Sequence, residues 1–161
     1  MNIQHRWSII CSGVSIDQQS NNLSLFNIIE QIRIPKNHLV EIKEGGEKKL
    51  VIPVPFNLIN LWSRASSDVA EKVDVEIKLI DPSGKARKVG AFTLKFDSKI
   101  ERIRSKSQYS GIKASSSGVY TFRMYVKEKG QEDFRDIGSV HLNVEILPSS
   151  RIDIKKESKN K

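Results

Sequence analysis

The sequence predicts an all-β protein, a single antiparallel β-sandwich of about eight strands. Three observations carry this: apolar residues recur at a period of two, turn residues separate the alternating runs, and no long amphipathic helix competes. The 161 residues amount to one domain, and a chain of that size buries roughly 68–70% of its unfolded surface. No disulfide or metal is needed to hold it together.

Strands are expected over 6–13, 23–34 and 49–62, then over 73–80, where Val73, Val75, Ile77 and Leu79 alternate with Asp74, Glu76 and Lys78. Asp81-Pro82-Ser83-Gly84 follows as a hairpin turn, because proline pre-sets the first corner and glycine is free to take positive φ after it. The strand over 86–96 alternates Phe92, Leu94 and Phe96 with polar neighbours, and another is expected over 100–109. Tyr120, Phe122, Met124 and Val126 mark the seventh strand; Val140, Leu142, Val144 and Ile146 mark the eighth. Gly45-Gly46-Glu47-Lys48 reads as a flexible connector, and at most one helical turn is expected around Ser66 to Lys72. The sandwich domain spans 1–148. Residues 149–161 form a basic tail with too little apolar surface to offset the entropy of ordering it.

Gly118-Val119-Tyr120 adds a finer feature. A tyrosine reached through a glycine at the start of a late strand is similar to the tyrosine corner of immunoglobulin-like sandwiches, with an ordinary core tyrosine as the alternative. The antibody disulfide is missing, since the position two after Tyr120 is Phe122. The run Cys11-Ser12-Gly13, Asp17 and Leu23-Ser24-Leu25-Phe26, followed by Asp81-Pro82-Ser83-Gly84 and Gly118-Val119-Tyr120-Thr121-Phe122, resembles an uncharacterised bacterial family of small proteins over roughly residues 6–147. That resemblance implies an immunoglobulin-like or C2-like β-sandwich without an assigned activity. It carries over no functional residue.

Neither a metal nor a cofactor is expected. His5, His38 and His141 have no second ligand at helical or strand spacing, and one cysteine excludes paired-cysteine zinc sites. Asp81 and Asp97 stand at opposite ends of the 86–96 strand, ~35 Å apart at ~3.3 Å per residue, so they cannot share a calcium ion. Cys11 beside Ile9 and Ile10 reads as a buried, reduced thiol, and a Cys-x5-Arg phosphate loop would need arginine where Asp17 stands. Ser115-Ser116-Ser117 has no histidine near it in sequence, so the expectation is a non-catalytic protein. The start carries neither a signal-peptide pattern nor a membrane span, which points to a cytoplasmic protein whose Asn22-Leu23-Ser24 sequon stays unmodified.

What remains is binding. The net charge of +8 is concentrated: residues 85–113 carry 9 basic and 2 acidic side chains, and the tail from 149 carries 5 and 2. Arg102, Arg104 and Lys106 alternate, so a strand lines them along one face at ~6.7 Å intervals, with Lys113 nearby in sequence. Such a row meets an acidic protein, nucleic acid or an acidic lipid surface, or else simply blunts a sheet edge against aggregation. Pro53 and Pro55 remove two N–H groups from the same side of the 49–62 strand, which marks it as an edge. Its second face carries Val51, Ile59 and Leu61; either a bulge changes the parity, or these residues form an exposed patch for a protein partner or a second copy. The leading reading is a non-catalytic protein-binding module, with anion binding through the basic segment and tail as its alternative.

Overall fold

The computed structural model describes residues 3–65, 70–114 and 116–149. Among them are twelve strands, β1 (Ile3–Ile16), β2 (Leu23–Ile28), β3 (Gln31–Pro35), β4 (Val40–Glu44), β5 (Glu47–Ile52) and β6 (Phe56–Arg64), then β7 (Glu71–Ile80), β8 (Ala86–Phe96), β9 (Arg102–Tyr109), β10 (Ile112–Ala114), β11 (Gly118–Glu128) and β12 (Arg135–Leu147). A single 3-10 turn, Lys36–His38, is the only helical element among the described residues, and none of them forms a helix long and apolar enough to cross a membrane. The all-β expectation is therefore met. The strand count and the sheet arrangement differ from it.

Three sheets form instead of the two layers of an eight-strand sandwich: a four-stranded sheet ordered β2-β1-β6-β9, a five-stranded sheet ordered β3-β12-β11-β7-β8, and a three-stranded sheet ordered β10-β5-β4. Pairing is antiparallel except between β3 and β12, which run parallel with Ile32 beside Val144. All three sheets feed one hydrophobic core. Ile10, Leu58 and Trp62 come from the first, Val75, Phe122 and Leu142 from the second, and Ile52 and Ile112 from the third.

Two predicted strands each split because the chain changes sheets. The 23–34 segment ends its first strand at Ile28; the Ile29 amide still donates to the Ile10 carbonyl at 2.8 Å, while the Glu30 carbonyl already accepts from the Asn143 amide at 3.0 Å in the second sheet. Ile32 and Ile34 face the core from β3, whereas in β2 Leu23 and Leu25 are half-buried and Phe26 and Ile28 stay 53% and 60% exposed. The 49–62 segment breaks at Pro53 and Pro55, which lie between β5 and β6 and so cost no ladder hydrogen bond. It is not an edge: β5 runs between β10 and β4, and β6 between β1 and β9. The supposed flexible connector is a tight turn, with Gly45 and Gly46 at φ 60° and 84° closing the Glu44–Glu47 pair of the β4–β5 hairpin as two consecutive positive φ angles require.

The other turn and corner signals hold. Asp81 accepts the Gly84 amide at its carbonyl (2.8 Å) and the Ser83 and Lys85 amides at its carboxylate (2.9 and 3.1 Å), with Gly84 at φ 84°. Tyr120 is fully buried and its hydroxyl donates to the Ser116 carbonyl at 2.9 Å, four residues back, which is the bond a tyrosine corner makes. The helical turn expected around Ser66 to Lys72 falls partly outside the described residues, and Glu71 and Lys72 already belong to β7. The tail from 150 onward lies outside them altogether.

Candidate anion-binding face

β9 is the last strand of the four-stranded sheet, hydrogen-bonded to β6 on one side. Its burial alternates strictly, so Arg102, Arg104 and Lys106 stand exposed on the outer face while Ile103, Ser105, Ser107 and Tyr109 turn inward. The inward residues hold the strand in place. The Ser105 hydroxyl oxygen accepts from the Trp62 indole at 2.9 Å and from the Asn60 amide at 3.3 Å, and Tyr109 stacks on Phe56 with centroids 5.1 Å apart. The basic row therefore sits on an edge strand whose register is fixed by buried anchors.

The row faces a cleft that local sequence patterns did not reveal. Beyond Cys11, β1 leaves β6 and continues with β2 as a hairpin, and the Arg104 guanidinium donates to the Asn21 carbonyl in the hairpin loop at 2.8 Å. The space between hairpin and sheet, about 460 Å³, is lined by Trp7, Ile16, Leu23, Leu61, Arg102 and Arg104. The loop is held by Asp17, whose carboxylate accepts from the Ser20 amide at 2.6 Å and its hydroxyl at 2.7 Å, which keeps that carboxyl below its ordinary value. Trp7 reaches this face because a register shift between His5 and Trp7 moves it to the outer side, opposite Leu61.

Lys113 does not join the row. It lies on β10 in the third sheet, where its ammonium pairs with Glu44. Glu44, hydrogen-bonded to both Lys113 and Lys49, is held down to about 2. The three apolar candidates are dispersed as well: Val51 is half-buried on β5 between Val40 and Lys113, Ile59 is only 2% exposed on β6, and Leu61 lines the cleft beside the arginines.

A serine–histidine contact also escaped the sequence reading. His5 Nε2 lies 2.6 Å from the Ser8 hydroxyl, which in turn donates to Asn60 Oδ1. Asn60 uses its own amide protons on Ser105, so its oxygen must accept, the single Ser8 proton goes to it, and Nε2 of His5 is the donor. A hydroxyl held that way is an acceptor for histidine rather than a nucleophile activated by it. Burial lowers the His5 pKa, and the ring meets Trp62 edge-on at 5.2 Å. Cys11 is fully buried and burial pushes its thiol up, away from the reactive thiolate. Among the described residues no three metal-ligating side chains gather. Ser115 is outside them, and the Ser117 hydroxyl accepts from the Ile146 amide at 2.9 Å.

No protein-family model and no curated protein matches the chain. Solved structures similar to it include a β-glucosidase from Listeria innocua (10% identity, TM-score 0.44, 74% of this chain and 15% of that one). An alkylpurine DNA glycosylase of Pseudomonas fluorescens, bound to DNA containing an abasic site analogue, is similar at 12% identity and TM-score 0.42 over 89% of this chain and 30% of that one. The N-terminal domain of PorA aligns at 9% identity and TM-score 0.28, over 89% and 100% of the two chains. The chain thus spans less than a third of the first two.

Proposed function

We propose that the protein is a non-catalytic interaction module of the immunoglobulin-like or C2-like sandwich kind, acting in the cytoplasm, that binds an acidic, extended segment of a protein partner along β9. The observation that carries this is the position of Arg102, Arg104 and Lys106: one cationic face on an edge strand whose other backbone side has no ladder partner among the described residues. An extended segment adding to that edge gains main-chain hydrogen bonds, and acidic residues at alternate positions fall opposite the row. Tyr120 with its corner bond, and a core shared by the two larger sheets, support the sandwich assignment. Trp7 beside two arginines supports a second reading, single-stranded nucleic acid, because a base stacks on an indole while guanidinium groups take the phosphates.

Fluorescence anisotropy with a labelled peptide alternating glutamate and valine, beside labelled single-stranded RNA and DNA across a salt series, separates the two. The peptide is expected to bind at low salt, and replacing Arg102, Arg104 and Lys106 together by Gln should abolish that binding with the fold intact. If nucleic acid is the partner, log K falls with log salt at a slope of about −2.1 for the three phosphates the row can take, and the triple variant loses about two units of it. Binding of neither at low salt refutes the role of the row.

A further inference from the structure

A second opening lies between β8 and β9, the neighbouring edges of the two larger sheets. It offers about 220 Å³, open to solvent on one side; half-buried Tyr109 and Val89 face it, and behind them Phe56, Tyr109 and Phe122 meet one another at centroid distances of 5.1 to 5.8 Å. Leu79 and Ile112 complete an apolar lining, drawn from separate strands. A ring the size of benzene fits in ~150 Å³, so this space has room for one ring or a short acyl chain.

Three basic side chains share the wall, Lys88, Lys113 and Arg87, and among the described residues Arg87 is the one without a carboxylate partner. β8 pairs with β7 through Ile77–Gly90, but the next pair is Lys78–Lys88, so Val89 is an extra residue and β8 bulges there. The bulge shifts the parity of the strand. Arg87 consequently falls opposite Leu79, a core-facing residue, and its side chain is carried to the cavity wall instead of outward. The guanidinium donates to the Lys113 carbonyl at 2.6 Å. Among the described residues no carboxylate lies within ion-pair distance of it; Asp81 and Glu44 act on it only through space, and burial lowers its pKa. The neighbouring lysines are already matched, Lys88 with Glu76 at 2.6 Å and Lys113 with Glu44. A half-buried guanidinium without a contacting counterion, beside an aromatic pocket, is complementary to an anion with an apolar body.

We propose that the space between β8 and β9 binds a small amphiphilic carboxylate, an aromatic or short acyl acid whose body packs on Tyr109 and Val89 above the buried aromatic cluster and whose carboxylate takes the fork of Arg87. The site borders the unpaired edge of β9 but is lined by none of Arg102, Arg104 and Lys106.

Benzoate and hexanoate are the probes, with benzyl alcohol and hexanol as their uncharged counterparts, titrated into the full chain and followed by methyl NMR. Saturable shifts are expected at Leu79, Val89 and Ile112, with Leu23 and Leu61 in the other cleft unmoved. The alcohols should bind at least about tenfold more weakly than the acids, and Arg87→Gln should weaken the acids to the level of the alcohols. The comparison of acid with alcohol on the unmodified chain stands even if Arg87→Gln fails to fold. Absence of saturable shifts with either acid, equal affinity for acid and alcohol, or shifts centred on Leu23 and Leu61 overturns the proposal.

Discussion

At the residue scale the most telling side chain is Tyr120, because one hydrogen bond separates a corner tyrosine from a core one. Its hydroxyl donates to the carbonyl of exposed Ser116, so Tyr120→Phe removes that bond at a cost of about 0.5 to 1.5 kcal/mol, read by urea unfolding. An unchanged midpoint would make Tyr120 a plain core aromatic. Gly118 supports the same corner: at φ 142°, a Cβ there would lie 2.8 Å from Pro82 Cβ, so Gly118→Ala should also destabilise. His5 supplies the pH dependence. Its folded pKa is lowered by burial, so its contribution is present above the unfolded value of about 6.5 and is lost as pH falls toward the folded one. Urea midpoints should therefore drop on acidification below that value, and His5→Gln should flatten the drop; an identical pH profile for the variant would refute the assignment.

Elements were legible where the information is local. Period-two alternation placed β7, β8, β11 and β12 within a few residues, because each strand has one dry face that its own residues announce. Sheet membership was not legible. The central strand β6 is buried on both faces, so it shows apolar residues on both, the same pattern a bulged or exposed edge shows, and nothing local marks the crossing at Ile29-Glu30. β10 and the polar β4 were too short to announce themselves. The site divides the same way: the Arg102, Arg104 and Lys106 row is written in five residues, whereas Trp7 and Leu61 meet only through the β1–β6 register. The row also has a consequence for the element itself. Charges on an edge strand oppose pairing with a second molecule, so the triple Gln variant should keep its midpoint yet self-associate at concentrations where the parent stays monodisperse by light scattering. Equal monodispersity would mean that the charges do not protect the edge.

At the scale of the whole molecule, the arrangement argues for one cooperative unit, since residues of all three sheets share the core cluster. Circular dichroism should be sheet-dominated and insensitive to chelator, and truncation after Ser149 should leave Tm nearly unchanged. Cys11 offers a sharper probe of the same claim. It is the single cysteine, it is fully buried, and it sits where β1 parts from β6 to pair with β2. Its strand partner Asn57 is itself buried and its neighbour Ile10 belongs to the core, so exposing the thiol requires the β1–β6 ladder to open, and with it the cluster that joins the sheets. Thiol labelling under native conditions, in the regime where opening and closing are fast, should then report the same free energy as global urea unfolding and fall with the same dependence on urea. A labelling free energy well below the global value, with little urea dependence, would show that the β1–β2 hairpin opens by itself. The cleft it shares with Arg102 and Arg104 would then be a moving jaw rather than a fixed wall.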